Sequence, residues 1–184
     1  MNARALSVLF SVLALGAAAT AVADDAMLNV VQYPDKRGVD VPFVATERAP
    51  AGASLEAEVK LAEGQARIDL SYSKMQPAAL FGGNIAAYVV WCVSRSGVVE
   101  NLGELFVEDA SGSTRYQTGM KEFAMFVTAE AVPGVWHPSD MVVFRSGPTR
   151  SKYAKNSTQA FPALAPAPKH DHEAIGSLVW KEGQ

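Results

Sequence analysis

Cysteine is almost absent from this sequence, and the single cysteine, Cys92, rules out a disulfide bond within the chain. A chain of 184 residues does not depend on such a bond, because a domain of this size buries about two-thirds of its unfolded surface. Cys92 lies in an apolar segment, where a free cysteine usually behaves as a small buried hydrophobic residue. We therefore interpret Cys92 as part of the core and not as a reactive thiol.

Runs of basic residues are also missing. The formal net charge is −3 at pH 7, and no Lys/Arg cluster alternates with aromatic residues, so we expect no nucleic-acid partner. The sequence also lacks a glycine-rich phosphate loop, a G-x-S-x-G motif and a second long apolar run. These absences predict a protein without catalytic activity, without a cofactor and without a membrane span after the first 23 residues.

The first 23 residues contain only one charged residue, Arg4. A stretch of apolar or small residues follows from residue 5 to residue 20, and Ala21-Val22-Ala23 precedes two aspartates. A basic start, a short apolar stretch and an A-x-A site are typical of a secretory signal peptide. We expect cleavage after Ala23, which places the mature protein in the periplasm or outside the cell.

The longest uncharged run after this leader is Ala86–Val93, which is rich in β-branched and aromatic residues. It predicts a central strand buried on both faces, with Trp91 as the largest core side chain. Two other segments, Leu55–Leu61 and Ala66–Tyr72, alternate apolar and polar residues, as half-buried strands do. A hairpin turn at Glu63-Gly64 then pairs Leu61 with Ala66, Val59 with Ile68, Ala57 with Leu70 and Leu55 with Tyr72. We expect this hairpin to form one inner wall around Trp91.

Further short strands separated by turn residues predict an all-β fold, an Ig-like antiparallel β-sandwich of about seven to nine strands. We assign residues 1–23 to the signal peptide, residues 24–148 to the sandwich domain, and residues 149–184 to a Pro/Ala-rich linker and C-terminal tail. Two interpretations of the tail stay open, because its apolar patch suits either a docking peptide or an additional edge strand.

Four segments of the predicted sandwich carry a resemblance to a known family. They are Tyr88-Val89-Val90-Trp91, Asn101-Leu102-Gly103-Glu104-Leu105, Phe123 with Phe126-Val127-Thr128-Ala129-Glu130, and Pro138-Ser139-Asp140-Met141-Val142-Val143. Their order resembles the N-terminal Ig-like β-sandwich domain of some bacterial OmpA-family proteins. It is similar, more loosely, to the extracytoplasmic domain of anti-sigma-K factors. The resemblance implies a bacterial envelope protein that carries this scaffold. It also implies that Asn101 and Gly103 are turn residues and that Ser139 is a local cap before the next strand. Nothing resembles the peptidoglycan-binding domain or the sigma-binding segment of those groups, so these roles are not carried over.

The loop before the last predicted core strand contains Val135, Trp136 and His137, which we select as the candidate partner-binding loop. In the alternative interpretation, Trp136 closes the core. His137, Ser139 and Asp140 supply the residue types of a hydrolytic triad, but three residues of one loop seldom form the required chain of hydrogen bonds.

These observations predict an exported bacterial envelope binding or assembly module without catalytic activity. We expect its partner to be an envelope protein or a surface polymer. The alternative function is weak metal binding in the periplasm by His170 and His172 of the tail, beside Glu173.

Overall fold

The computed structural model describes residues 26–161, and these residues form an all-β antiparallel structure. The fold-class prediction is confirmed, with ten strands where seven to nine were expected. One 3₁₀-helix, Ala78–Phe81, lies between the fourth and fifth strands. The strands are β1 (Ala26–Gln32), β2 (Gly38–Ala45), β3 (Ser54–Ala62), β4 (Gln65–Ser73), β5 (Ala87–Ser94), β6 (Val99–Glu104), β7 (Gly112–Thr118), β8 (Glu122–Glu130), β9 (Val142–Ser146) and β10 (Lys155–Phe161).

The first layer contains β2, β3, β4 and β7, paired in that order. Residues of β3 are alternately exposed and buried along the whole strand, because the layer has one face on the core and one face on solvent. The predicted β3–β4 register is confirmed at all four pairs, including Leu55 with Tyr72. The turn works because Glu63 and Gly64 both have positive φ angles, as a two-residue hairpin loop requires.

The second layer has β8 at its centre, paired with β5 and β9, and β5 pairs in turn with β6. Strand β9 also pairs with β2 and so connects the two layers. Every residue of β5 except Ser94 is buried, which confirms the prediction of a central strand covered on both faces.

Trp91 is completely buried, but it does not face the β3–β4 wall as predicted. The first core lies between the two layers, and from β5 it receives Tyr88, Val90 and Cys92. Trp91 belongs to a second core on the opposite face of β5 and β8, where Leu28 of β1 and the last residue of β10 also pack. Successive residues of a strand point to opposite faces, and a wholly apolar strand contains no signal for which face is which.

Strand β10 extends the sheet beyond residue 148, where we had placed the end of the sandwich domain. It pairs with β1 over seven residues, from Lys155 to Phe161. Five of its seven residues are polar and only Phe161 is buried, as is common in edge strands, so the sequence pattern resembles that of a linker. In contrast, β1 and β2 each have a neighbour on both sides.

The predicted signal peptide (residues 1–23) and the tail beyond Phe161 lie outside the described residues. Within residues 26–161, no helix has the length and apolar character needed to cross a bilayer.

Candidate functional site

Four connections meet at one end of the sandwich, between β2 and β3, β4 and β5, β6 and β7, and β8 and β9. Among the described residues, eight large hydrophobic side chains are exposed, and four of them lie on these connections. They are Leu80, Phe106, Val132 and Trp136. Single exposed apolar residues are normal on a protein surface, and contiguous patches mark interaction sites. We select this end as the candidate site because half of the eight lie on its connections. We refer to this region as the apolar end.

Trp136 is the most exposed of these side chains, at 91% of its full accessibility. This value contradicts the alternative in which Trp136 closes the core. Its neighbour Val135 is partly buried and packs against the second core, so the backbone beside the tryptophan is attached to the sandwich. His137 is exposed as well. Of the predicted loop residues, Trp136 and His137 are therefore accessible to a partner, and Val135 anchors them.

Asn101 of β6 holds the first half of the Trp136 loop. Its Nδ2 donates hydrogen bonds to the carbonyl oxygens of Pro133 and Val135, each at 2.9 Å. Its Oδ1 accepts the N–H of Gly103 at 2.8 Å, and Gly103 has a φ of 115°, which disfavours any side chain there. The resemblance implied that Asn101 and Gly103 are turn residues, which is wrong because both lie within strand β6. Asn101 instead holds a loop from another part of the chain.

The second half of the same loop is held from β8 and from the β2–β3 connection. The backbone N–H of Ser139 donates to Oε1 of the buried Glu130 at 2.8 Å. Ser139 Oγ accepts the N–H of Met141 at 3.2 Å, which is the local cap that the resemblance implied. Arg48 donates to the carbonyl oxygen of Asp140 and also lies 3.8 Å from its carboxylate.

These contacts leave no catalytic triad in the loop. Ser139 Oγ is engaged with the backbone of Met141, and Asp140 is engaged with Arg48. Within residues 26–161, His137 forms no hydrogen bond or ion pair with either of them. The three residue types therefore do not form the chain of hydrogen bonds that a triad requires.

The other connections of the apolar end are fastened to each other. The N–H of Met75 donates to the carbonyl oxygen of Ala110 at 2.9 Å, and the Tyr88 hydroxyl donates to the carbonyl oxygen of Gln76, also at 2.9 Å. Burial raises the pKa of Tyr88 to about 12. Leu80 borders a cavity of about 160 Å³ that also reaches the β2–β3 connection. The connections that carry the exposed side chains are therefore held in place by hydrogen bonds.

Sequence patterns did not identify Leu80 and Phe106 as surface residues. Leu80 lies in the 3₁₀-helix just before Gly82-Gly83, and Phe106 precedes two acidic residues. Both residues have apolar neighbours on each side in the sequence, so no local signal marks them as exposed, and only the strand pairing shows that both reach the same end as Trp136.

A groove of about 670 Å³ lies on the outer face of β2 and β3 beneath the connection that leads to β10. Asp40, Glu56 and Arg150 line it, and the ring of Tyr153 lies 4.1 Å from the Arg37 guanidinium carbon. This wall carries charges of both signs. Within residues 26–161, no group of three or more His, Cys, Asp or Glu side chains is placed to hold a metal ion. The alternative metal ligands, His170 and His172, lie outside the described residues.

No family model, curated protein or solved structure matches this chain. The resemblance to the OmpA-family sandwich therefore stays a prediction. The proposal below therefore starts from the predicted signal peptide and from the geometry of the apolar end.

Proposed function

We propose that this protein is an exported bacterial envelope protein that acts as a binding or assembly module, without catalytic activity of its own. Its partner, an envelope protein or a surface polymer, contacts the apolar end. The observation that carries the proposal is the 91% exposure of Trp136 on a loop whose backbone is fixed by hydrogen bonds.

The energetics support this use of Trp136. A tryptophan side chain offers about 150–250 Å² for burial, which corresponds to roughly 4–6 kcal/mol at about 25 cal/mol per Å². Tryptophan is accordingly enriched among the residues that dominate binding energies. A loop that is already ordered loses little conformational freedom on binding, so more of this energy is available for affinity.

The surroundings of Trp136 suit a partner with both apolar and polar groups. Val132 on the same loop adds apolar surface, while His137, Asp140 and Arg48 provide a polar rim. An apolar centre with a polar rim is the usual anatomy of a specific interface. The absence of a triad in this loop and the predicted signal peptide support a module that binds and is exported.

Site-specific photocrosslinking in the bacterial envelope tests the proposal. A photoreactive amino acid replaces Trp136 in one version of the full chain and Val98 in the other. Val98 is a matched control because it is 59% exposed on the β5–β6 turn, at the opposite end of the sandwich. We expect a discrete crosslinked product from position 136 and none from position 98.

A second experiment uses Trp136→Ser in the chain that carries a photoreactive residue at Leu80, which is 70% exposed at the same end. We expect the Leu80 crosslink to weaken at least about tenfold, because central aromatic contacts typically contribute 2 kcal/mol or more. Equal crosslinking from both ends, or a Leu80 crosslink that ignores the serine substitution, contradicts the proposal. Recovery of the chain only in the cytoplasm contradicts its exported location.

A further inference from the structure

Strand β10 pairs with a single neighbour, β1, and forms one end of the sheet within residues 26–161. The dependence is mutual. Strand β1 pairs with β8 only at Val31 and Gln32, so its first five residues, from Ala26 to Val30, have ladder partners in β10 alone. These five residues nevertheless contribute Leu28 and Val30 to the second core. The edge of β1 that β10 occupies therefore borders a packed apolar cluster.

The side chains of β10 on the face of this cluster are polar at two positions. Ser157 lies directly opposite Val30, and Gln159 lies directly opposite Leu28. Directly opposite residues of an antiparallel pair lie on the same face of the sheet, so both polar residues are on the side of the second core. Phe161 is the one residue of β10 that is buried in this core. An apolar side chain at either polar position would bury more apolar surface than β10 does.

The two polar residues are held by Arg95, which lies in the turn between β5 and β6. The Arg95 guanidinium donates to Ser157 Oγ at 2.9 Å, and Gln159 Nε2 donates to the carbonyl oxygen of Arg95 at 2.9 Å. The Arg95 side chain is 59% exposed and also pairs with Glu122. Water therefore replaces both hydrogen bonds when β10 leaves, and no group of Arg95 becomes an unsatisfied buried one.

The segment before β10 is attached to the sandwich independently of β1. The buried Thr149 donates from Oγ1 to the carbonyl oxygen of Asp40 at 2.6 Å. The side-chain amide of Asn156 exchanges two hydrogen bonds with the backbone of Thr149, at 2.8 and 3.1 Å. These contacts fix the chain immediately before Ser157. Residues 157–161 can therefore leave β1 while the preceding connection stays in place.

We propose that the edge of β1 is a strand-acceptor site, at which an extended segment of a partner polypeptide displaces residues 157–161. The segment that fits has apolar side chains at the positions of Ser157 and Gln159. Backbone hydrogen bonds to β1 provide affinity, and the alternate side chains on the second core provide selectivity, as is general for strand addition. The site is independent of the function proposed for the Trp136 loop.

A labelled peptide tests the site in the full chain by fluorescence anisotropy. The probe has the β10 sequence with Ser157→Val and Gln159→Ile, and the unaltered β10 peptide is its reference. We expect saturable binding of the apolar probe and at least about tenfold weaker binding of the reference. This factor corresponds to about 60 Å² of additional apolar burial at ~25 cal/mol per Å².

A disulfide lock between β1 and β10 shows where the probe binds. Asn29 and Thr158 lie directly opposite each other, at a separation that a disulfide bond can bridge. In Asn29→Cys/Thr158→Cys, oxidation keeps β10 in place and reduction releases it, while Cys92 is completely buried. We expect the oxidised form to bind the probe at least about tenfold more weakly than the reduced form. If this pair prevents folding, Met27→Cys/Ala160→Cys provides the same lock.

The matched control is a lock at the other end of the sheet, Ser71→Cys/Ser113→Cys, which joins opposite residues of β4 and β7. We expect its oxidised and reduced forms to bind the probe equally. The proposal is overturned if the β1–β10 lock leaves the affinity unchanged, or if both peptides bind equally well. A dimer of the reduced chain that disappears on oxidation also contradicts it, because the occupant is then β10 of a second copy.

Discussion

The buried hydrogen bond between Trp91 and Thr128 leads to a quantitative prediction about the second core. Trp91 Nε1 donates to Thr128 Oγ1 at 2.8 Å, and both residues are completely buried. The indole is also stacked on Phe126, with ring centroids 6.1 Å apart and an angle of 10° between the planes. Without this hydrogen bond, the indole N–H of Trp91 and the hydroxyl of Thr128 would each be an unsatisfied polar group inside an apolar cluster.

Trp91→Phe removes the donor and part of the ring. The orphaned hydroxyl of Thr128 costs about 1–3 kcal/mol. The lost volume of roughly 40 Å³ adds about 1 kcal/mol at ~24 cal/mol per Å³ of cavity. We expect Trp91→Phe to lower the free energy of unfolding by about 2–4 kcal/mol. The melting temperature then falls by roughly 5–12 °C for a domain of this size.

Thr128→Val removes the acceptor and leaves the indole N–H unsatisfied, so we expect a loss of about 1–3 kcal/mol. The double variant Trp91→Phe/Thr128→Val has no orphaned group. It should be more stable than the sum of the single losses predicts, by about 1–2 kcal/mol.

Urea unfolding followed by far-UV circular dichroism measures all four chains without relying on tryptophan fluorescence. The exposed Trp136 serves as the control, and Trp136→Phe should change stability by less than about 0.5 kcal/mol. Additive losses in the double variant, within about 0.5 kcal/mol, would refute the buried hydrogen bond. A loss below about 1 kcal/mol for Trp91→Phe would refute complete burial of the indole.

Three further predictions concern the loop clamp, the core thiol and a buried tyrosine. Asn101→Ala removes both hydrogen bonds to the Trp136 loop and should cost about 1–2 kcal/mol, with faster proteolytic cleavage between residues 131 and 137. Burial raises the pKa of the Cys92 thiol well above its usual range, so a thiol reagent should label Cys92 only as fast as the protein unfolds; rapid native labelling would contradict its place in the core. The pKa of Tyr88 is raised from 10.0 to about 12, so its contribution to stability is complete below pH 10 and is lost between pH 10 and about 12. Tyr88→Phe should lower that alkaline loss, as measured by urea unfolding across this range.

The β3–β4 hairpin shows what a sequence pattern can predict in full. Each of its strands has one solvent-exposed face and one buried face, so the alternation of polar and apolar residues shows which face each side chain is on. The turn residues then fix the register. Strand β5 shows the limit. Both of its faces are buried, so its residues are apolar throughout. The pattern therefore predicts that Trp91 is buried but does not predict on which face of the sheet it lies.

Strand β10 and the apolar end could not be predicted from the sequence, for a different reason. The backbone pairing of β10 with β1 involves mainly polar side chains, which carry no hydrophobic period. The apolar end brings together residues from distant parts of the chain, such as Leu80 and Trp136. Local patterns contain none of these long-range relations.

The positions of the exposed Trp136 and of the buried Trp91 are linked through one residue pair of the β5–β6 ladder. Trp91 lies directly opposite Asn101 in the β5–β6 pairing, at the position where the register shifts. The Asn101 amide then holds the carbonyl oxygen of Val135, whose side chain packs on the second core that contains Trp91. A well-packed core on this outer face of β5 thus sets the position of the loop, and the loop in turn presents Trp136 to solvent. If Trp136 anchors a partner as proposed, the rigidity of that anchor therefore comes from the second core behind the loop.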